Sequence, residues 1–180
     1  MSDHSISIVP LQSTYPDHKN KAAAILHWLT QLDIVQPTLS DCILGSGGGY
    51  AIAEGAKEVT PHPDLLPFDR ITNGLSIVTE RQVFDTGENF IDTLTCPACK
   101  QDIASYDWDF LNPWSRNESD NLTCPRCGHE TGIHHYTFEP DWGFSNLGFT
   151  FWNWPGFTDS FMAEFKKKLN SEIAIVHQHI

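Results

Sequence analysis

Leu94-Thr95-Cys96-Pro97-Ala98-Cys99 recurs 28 residues further on as Leu122-Thr123-Cys124-Pro125-Arg126-Cys127, the one internal repeat in the chain. Each copy reads as a strand end running into a tight turn. Two thiolates separated by two residues can face one cation, because the turn between them points successive N–H groups at the sulfurs. Proline restricts that turn, and Gly128 permits a positive φ just after the second one. Two such turns complete a tetrahedron. Residues 95–136 are therefore expected to form a small inserted module, and residues 1–94 with 137–180 a single α+β domain around it.

Outward from the repeat, both ends of the chain carry a strand and a helix. Residues 5–9, Ser-Ile-Ser-Ile-Val, alternate with period two, and Ala22, Ile25, Leu26, Leu29 and Leu32 recur at helical spacing, predicting an amphipathic helix to about residue 33. At the other end Phe149-Thr150-Phe151-Trp152 reads as a strand. Thr158 or Asp159 can cap a helix with Phe161, Met162, Phe165 and Leu169 on one stripe, Lys166, Lys167 and Lys168 in its last turn, and Asn170 at its end. Ile173-Ala174-Ile175-Val176, apolar on both faces, predicts a central strand. Between residues 37 and 95 the chain is broken by Pro, Gly and Asn-Gly, with short β-like runs at 50–53, 75–79 and 90–95 that predict an antiparallel meander. The expected fold is α+β: a two-layer sandwich of an antiparallel sheet and two helices, carrying the inserted β-hairpin module.

The pattern Cys-Pro-x-Cys, 24 residues, Cys-Pro-x-Cys-Gly resembles the zinc ribbon family over about residues 94–136 and nowhere else. The resemblance implies zinc held by Cys96, Cys99, Cys124 and Cys127 and a β-hairpin module whose folding depends on the metal. Lys100 stands where a glycine often follows the first pair. A closed shell of four cysteines leaves no position for water or substrate, which makes such a zinc structural, and binding it supplies folding free energy to a segment that reads as too polar for a core of its own. Rubredoxin-like iron and thiol redox chemistry are the alternatives that the same four cysteines allow.

The chain has 180 residues and a formal charge of −12, distributed as −1 over 1–35, −6 over 36–95, −3 over 96–136 and −2 over 137–180. An acidic surface repels phosphate backbones and anionic lipid, so the expected partner is another protein, a basic one most easily, with nucleic acid the alternative that zinc ribbons suggest by analogy. Within 96–136, Lys100, Arg116 and Arg126 face six acidic residues, which is no footprint for nucleic acid. No apolar run approaches the roughly 20 residues that a bilayer needs. The start, Met1-Ser2-Asp3-His4-Ser5, shows no basic and then apolar stretch, and four of the five cysteines fall in the two pairs, so a reducing, cytoplasmic location is expected.

Further catalytic or ligand candidates are weak. Gly45-Ser46-Gly47-Gly48-Gly49-Tyr50 lacks both the dinucleotide and the Gly-Lys-Ser/Thr phosphate patterns and reads as a hairpin loop. His134 and His135, being adjacent, are expected on opposite faces of a strand, and Asp107 and Asp109 on one face; His177 and His179 share a face near the chain end. Trp152 and Trp154 are expected on one strand face, in the core or at an interface. Cys42 sits in an apolar run and reads as a buried small hydrophobe. None of these composes a nucleophile with its base or an open metal shell, so the reading leans away from an enzyme, with an enzyme of scattered site residues as the remaining alternative.

Overall fold

Alternating Ser and Ile in β1 (His4–Pro10) send Ile6 and Ile8 to one side of a sheet and Ser5, Ser7 and Val9 to the other. The computed structural model describes residues 2–180. Helix α1 (His18–Gln31) follows, burying Ala22, Ile25 and Leu29 at the expected spacing. Strands β2 (Val35–Ser40), β3 (Gly49–Ile52) and β4 (Leu75–Val78) form the antiparallel meander. Short strands β5 (Gln82–Phe84) and β6 (Thr93–Thr95) lead to a one-turn helix α2 (Asn112–Ser115), then to β7 (Asn121–Thr123), β8 (Glu130–Gly132), β9 (Thr137–Glu139) and β10 (Gly143–Ser145). The chain continues through β11 (Gly148–Trp152), α3 (Asp159–Leu169) and β12 (Ile173–His179).

The main sheet has the order β12-β1-β11-β4-β3-β2, every neighbouring pair antiparallel. Three two-stranded ladders accompany it, β5 with β10, β6 with β9 and β7 with β8. The α+β architecture is thus as the sequence implies. Helices α1 and α3 cover one face. There Ile8, Leu75, Phe149 and Phe151 meet Ile25, Leu29, Phe161, Phe165 and Leu169, and Trp28 of α1 stacks on Phe161 of α3 at 5.6 Å. A second apolar cluster, with Leu94, Ile103, Leu111, Trp114, Leu122, Ile133 and Phe138, surrounds the cysteines. That cluster combines residues of 95–136 with Leu94, Phe138 and Phe144 from either side, so the segment shares a core with the chain around it.

Three expectations change. Strand β12 lies at an edge, not at the centre. It is apolar on both faces because Ile173 packs toward the helices while Ala174 and Val176 pack against Val9 and Phe84 on the opposite side. Its outer edge is partly covered, since His179 exchanges backbone hydrogen bonds with Thr86 and Glu88. Strand β2 arises where the prolines suggested broken chain. Pro37 is tolerated because β2 is the other edge and its register with β3 slips between Val35 and Leu39. Trp152 and Trp154 diverge, because β11 ends at Trp152 and Asn153 turns the chain at φ 64°. Trp154 enters the helix-side core and donates its indole N–H to the Asn73 carbonyl at 2.9 Å, while Trp152 lies against Cys42 and Ile43 on the other face. Asn153 holds this corner, accepting from the His4 N–H at 3.0 Å and donating to Asp3 and the Thr72 carbonyl at 2.7 and 2.8 Å.

Thr158 is the N-cap of α3, its hydroxyl accepting the Phe161 N–H at 3.2 Å, and Asn170 ends the helix in the left-handed region at φ 47°. Losing one cap hydrogen bond costs about 1 kcal/mol, which in a chain of this size is about 2–4 °C of Tm. Thr158→Ala is expected to lower the thermal midpoint by that amount and Thr158→Ser to leave it within error, as read by circular dichroism.

Candidate metal centre

Strands β6 and β7 deliver the cysteine pairs. Beyond each strand the chain makes the same two backbone hydrogen bonds: Cys96 N–H to Gln101 at 3.1 Å and Lys100 N–H to Cys96 at 3.0 Å in the first turn, Cys124 N–H to His129 and Gly128 N–H to Cys124, both at 2.9 Å, in the second. The repeat in sequence is thus a repeat in hydrogen bonding. Both turns need a left-handed residue at the same place, Gly128 at φ 76° and Lys100 at φ 61°. Gly128 fills the role without strain. Lys100 fills it at a cost, because its Cβ crowds the backbone there.

The turns bring four sulfurs together. Their ligand atoms all lie within 4.8 Å of one another, and Cys96 Sγ and Cys127 Sγ are 3.8 Å apart. A tetrahedron with metal–sulfur bonds of about 2.3 Å has edges of about 3.8 Å, so the donor set fits one tetrahedral cation in size and in chemistry. Backbone N–H groups point at the sulfurs as the spacing implies, Ala98 to Cys96 at 3.4 Å and Cys127 to Cys124 at 3.5 Å. Cys96 and Cys124 are buried, Cys99 half-buried and Cys127 exposed.

Burial opposes charge on Cys96, but the N–H groups of Cys99 and Ala98 outweigh it and bring the thiol down to about 7. At Cys127 the His129 N–H favours the thiolate, yet burial and the neighbouring Cys124, Cys96 and Cys99 sulfurs prevail and push it up to about 11. Four sulfurs this close cannot all ionise against their mutual repulsion. A divalent cation among them removes that repulsion, which is how a thiolate site couples metal binding to proton release.

Residues outside the repeat brace it. Asp102 Oδ1 accepts the N–H groups of Leu94 at 3.0 Å and Ala104 at 2.9 Å, and these bonds hold its carboxyl below the usual range. The Tyr136 hydroxyl lies 3.1 Å from the carbonyls of both Leu122 and His129, and burial followed by the charge of Cys96 and Cys124 raises its pKa, so it stays a donor. Arg81, remote in sequence, lies over the Trp114 ring at 4.0 Å and donates to the carbonyls of Trp114 and Ser119 at 2.8 and 3.1 Å and to Asp120 at 2.9 Å. The sequence reading missed all three. Asp102 two residues before Ala104 is a local Asx-turn signal that could have been found; Tyr136 and Arg81 act across the fold and leave no local signature.

The remaining candidates disperse. Among the described residues, Cys96, Cys99, Cys124 and Cys127 are the one group of metal-ligating side chains that converges. His134 and His135 sit on a 3-10 turn, not a strand, and take different partners: His134 Nε2 lies 3.4 Å from Ser13 Oγ, which itself accepts the Trp114 indole N–H at 2.8 Å, and His135 Nδ1 lies 2.7 Å from Thr131 Oγ1. Asp107 and Asp109 do not share a strand face. Asp107 caps a 3-10 turn, Trp108–Leu111, by accepting the Asp109 N–H, so the two act locally. His177 and His179 remain on β12, and Cys42 is buried as expected. The Gly-rich stretch joins β2 to β3, with Gly45, Gly47 and Gly48 at positive φ. No helix among the described residues is long and apolar enough to cross a membrane.

The chain matches no protein-family model, no curated protein and no solved structure. The reading of this centre accordingly rests on its geometry.

Two outcomes are expected. Lys100→Gly relieves the left-handed strain and raises the stability of the metal-loaded protein by about 0.5–1 kcal/mol. Gly128→Ala, whose added Cβ meets nothing within 4 Å, lowers it by about 1–2 kcal/mol through the backbone alone. Thermal melting of both variants checks the pair. Burial also pulls the His134 imidazole down to about 4. The unfolded imidazole, near 6.5, takes up a proton that the folded one refuses, so this contribution is complete above about pH 6.5 and is lost as pH falls toward about 4, at up to about 1.4 kcal/mol per unit. His134→Gln is expected to flatten stability in that window, measured by urea unfolding at about pH 5 and about pH 7.

Proposed function

We propose that Cys96, Cys99, Cys124 and Cys127 hold one structural zinc ion in a zinc ribbon inserted at residues 95–136, and that the protein acts in the cytoplasm by binding another protein rather than by catalysis. The observation that carries the metal reading is the four-sulfur cluster, with its 3.8 Å edge and its N–H groups aimed at sulfur. Zinc takes four thiolates in tetrahedral geometry readily, and when bound it cross-links two strand ends that the backbone alone holds through short ladders. The residues of the chain do the rest. Asp102 and Tyr136 fix the carbonyls and N–H groups that set the turns, and Arg81 ties the module to the chain before it.

The charge of −12 supports the interaction reading, since it favours association with a basic surface and disfavours nucleic acid and anionic lipid. The same field makes such an association salt-sensitive.

Elemental mass spectrometry with melting before and after chelation tests the metal. The expected result is one zinc per chain, a lower midpoint on removal, and loss of both metal and stability in Cys124→Ser; stoichiometric iron with a reddish absorbance, or no metal at all, overturns it. Co-purification at about 50 mM and about 500 mM salt tests the partner class, because screening at the higher salt should release a basic protein. Failure to capture any protein at the lower salt counts against it.

A further inference from the structure

The face of the main sheet that the helices leave uncovered is built unlike a solvated face. Residues opposite one another in an antiparallel ladder point to the same side. The registers therefore place Gln178, Ser5 and Trp152 in one row across β12, β1 and β11, and Ser7, Thr150 and Ser76 in the next row across β1, β11 and β4. Serines and threonines on an open face are normally wet. Here Ser5 is 1% exposed, Ser7 5%, and Thr150 and Trp152 8% each.

They are buried because β5 stands over one side of this floor and the segment after β2 over the other. Between them lies a cavity of about 220 Å³ lined by Ser7, Ser76, Thr150 and Trp152 of the sheet face, by Gln82 and Asp85, and by Leu44. Ser7 Oγ and Thr150 Oγ1 satisfy each other at 2.8 Å. In the adjoining row Ser5 Oγ and Trp152 Nε1 are sealed from solvent and have no hydrogen-bond partner. Of these two residues only Trp152 lines the cavity, so the polar groups that face its interior are those of the Ser7, Thr150 and Ser76 row.

Charge narrows the occupant. No lysine or arginine lines the cavity, so an anion finds no counter-charge. The one ionisable group there, Asp85, already accepts from Gln178 Nε2 at 3.0 Å and from the Gly87 N–H at 2.8 Å through the same oxygen, which leaves no carboxylate cluster for a cation. What remains is a set of hydroxyls and amides that both donate and accept, beside the apolar side chains of Trp152, Leu44, Val78, Val83 and Phe84. At about 30 Å³ per water the space equals about seven waters, the room of one small ring or chain.

We propose that this cleft binds a small uncharged, hydroxyl-rich molecule of monosaccharide or polyol size. The floor hydroxyls hydrogen-bond its hydroxyl groups while Trp152 and Leu44 cover its carbon skeleton. The site does not depend on the metal reading.

The test is a titration of the full, metal-loaded chain, followed by the ¹⁵N-indole resonance of Trp152 assigned with Trp152→Phe. Glucose, galactose, mannose, myo-inositol and sorbitol are each taken to about 50 mM, with glucose 6-phosphate as the charged counterpart. At least one neutral compound should give a saturable shift with Kd in the millimolar range, as expected of so small a ligand, and the phosphate ester should bind about tenfold more weakly or not at all. Ser76→Leu, which fills the half-buried floor, and Thr150→Val, which removes a hydroxyl at constant shape, should each weaken the binding about tenfold while metal content stays as in the wild type; Thr150→Val also leaves Ser7 Oγ without its partner and is expected to lower the thermal midpoint without unfolding the chain. Should Ser76→Leu not fold, Thr150→Val decides. No saturable shift with any neutral compound, undiminished binding in the folded variants, or equal affinity for the phosphate ester overturns the proposal.

Discussion

The placement of β1 between β11 and β12 is the constraint on which the other elements depend. Seven register pairs join β1 to β12, from His4 opposite His179 to Pro10 opposite Ile173, and four more join it to β11. Those hydrogen bonds span almost the whole chain, so the segments between must leave the sheet and return to it. The helices close over one face because both are tethered beside these strands. The cysteine-bearing segment lies within the turn-rich connection between β4 and β11.

That connection is not slack. Ladder β6–β9 draws together the two ends of the module, and β5–β10 packs its Phe84 and Gly143 against the sheet beside Val9. Gly143 is required there, since a Cβ would meet Val9 at 2.8 Å. Arg81 and the Ser13, Trp114 and His134 contact add two further ties between module and sheet. Each tie joins groups more than 30 residues apart, so the segment around the sulfur cluster is held by long-range packing.

Where side-chain period and caps act locally, the sequence could be read directly. Strands β1 and β11, both long helices, the Thr158 cap and the Asn170 stop follow from spacing and from one or two residue types. The sulfur cluster was legible for the same reason, because two residues between cysteines specify one turn. What escaped was set by neighbours far along the chain. The apolar second face of the edge strand β12 depends on Phe84 of β5 packing against it, and the divergence of Trp152 and Trp154 depends on Asn153 being gripped by Asp3, His4 and Thr72. The brace residues Tyr136 and Arg81 are ordinary in their own surroundings. Lys100 is instructive in the opposite sense: its departure from glycine was visible, and the structure shows that the backbone keeps the glycine conformation regardless.

The two borders of the main sheet are finished differently, and this bears on behaviour at high concentration. On the β12 side, residues 86–88 occupy the backbone groups of His179. On the β2 side no further strand of the described residues pairs with it, and five of its six residues are exposed. Pro37 lies in that border, where a missing amide proton and the slipped register make the edge a poor template for a further strand. A residue that looked like an interruption of the fold is thus part of how its open border is finished.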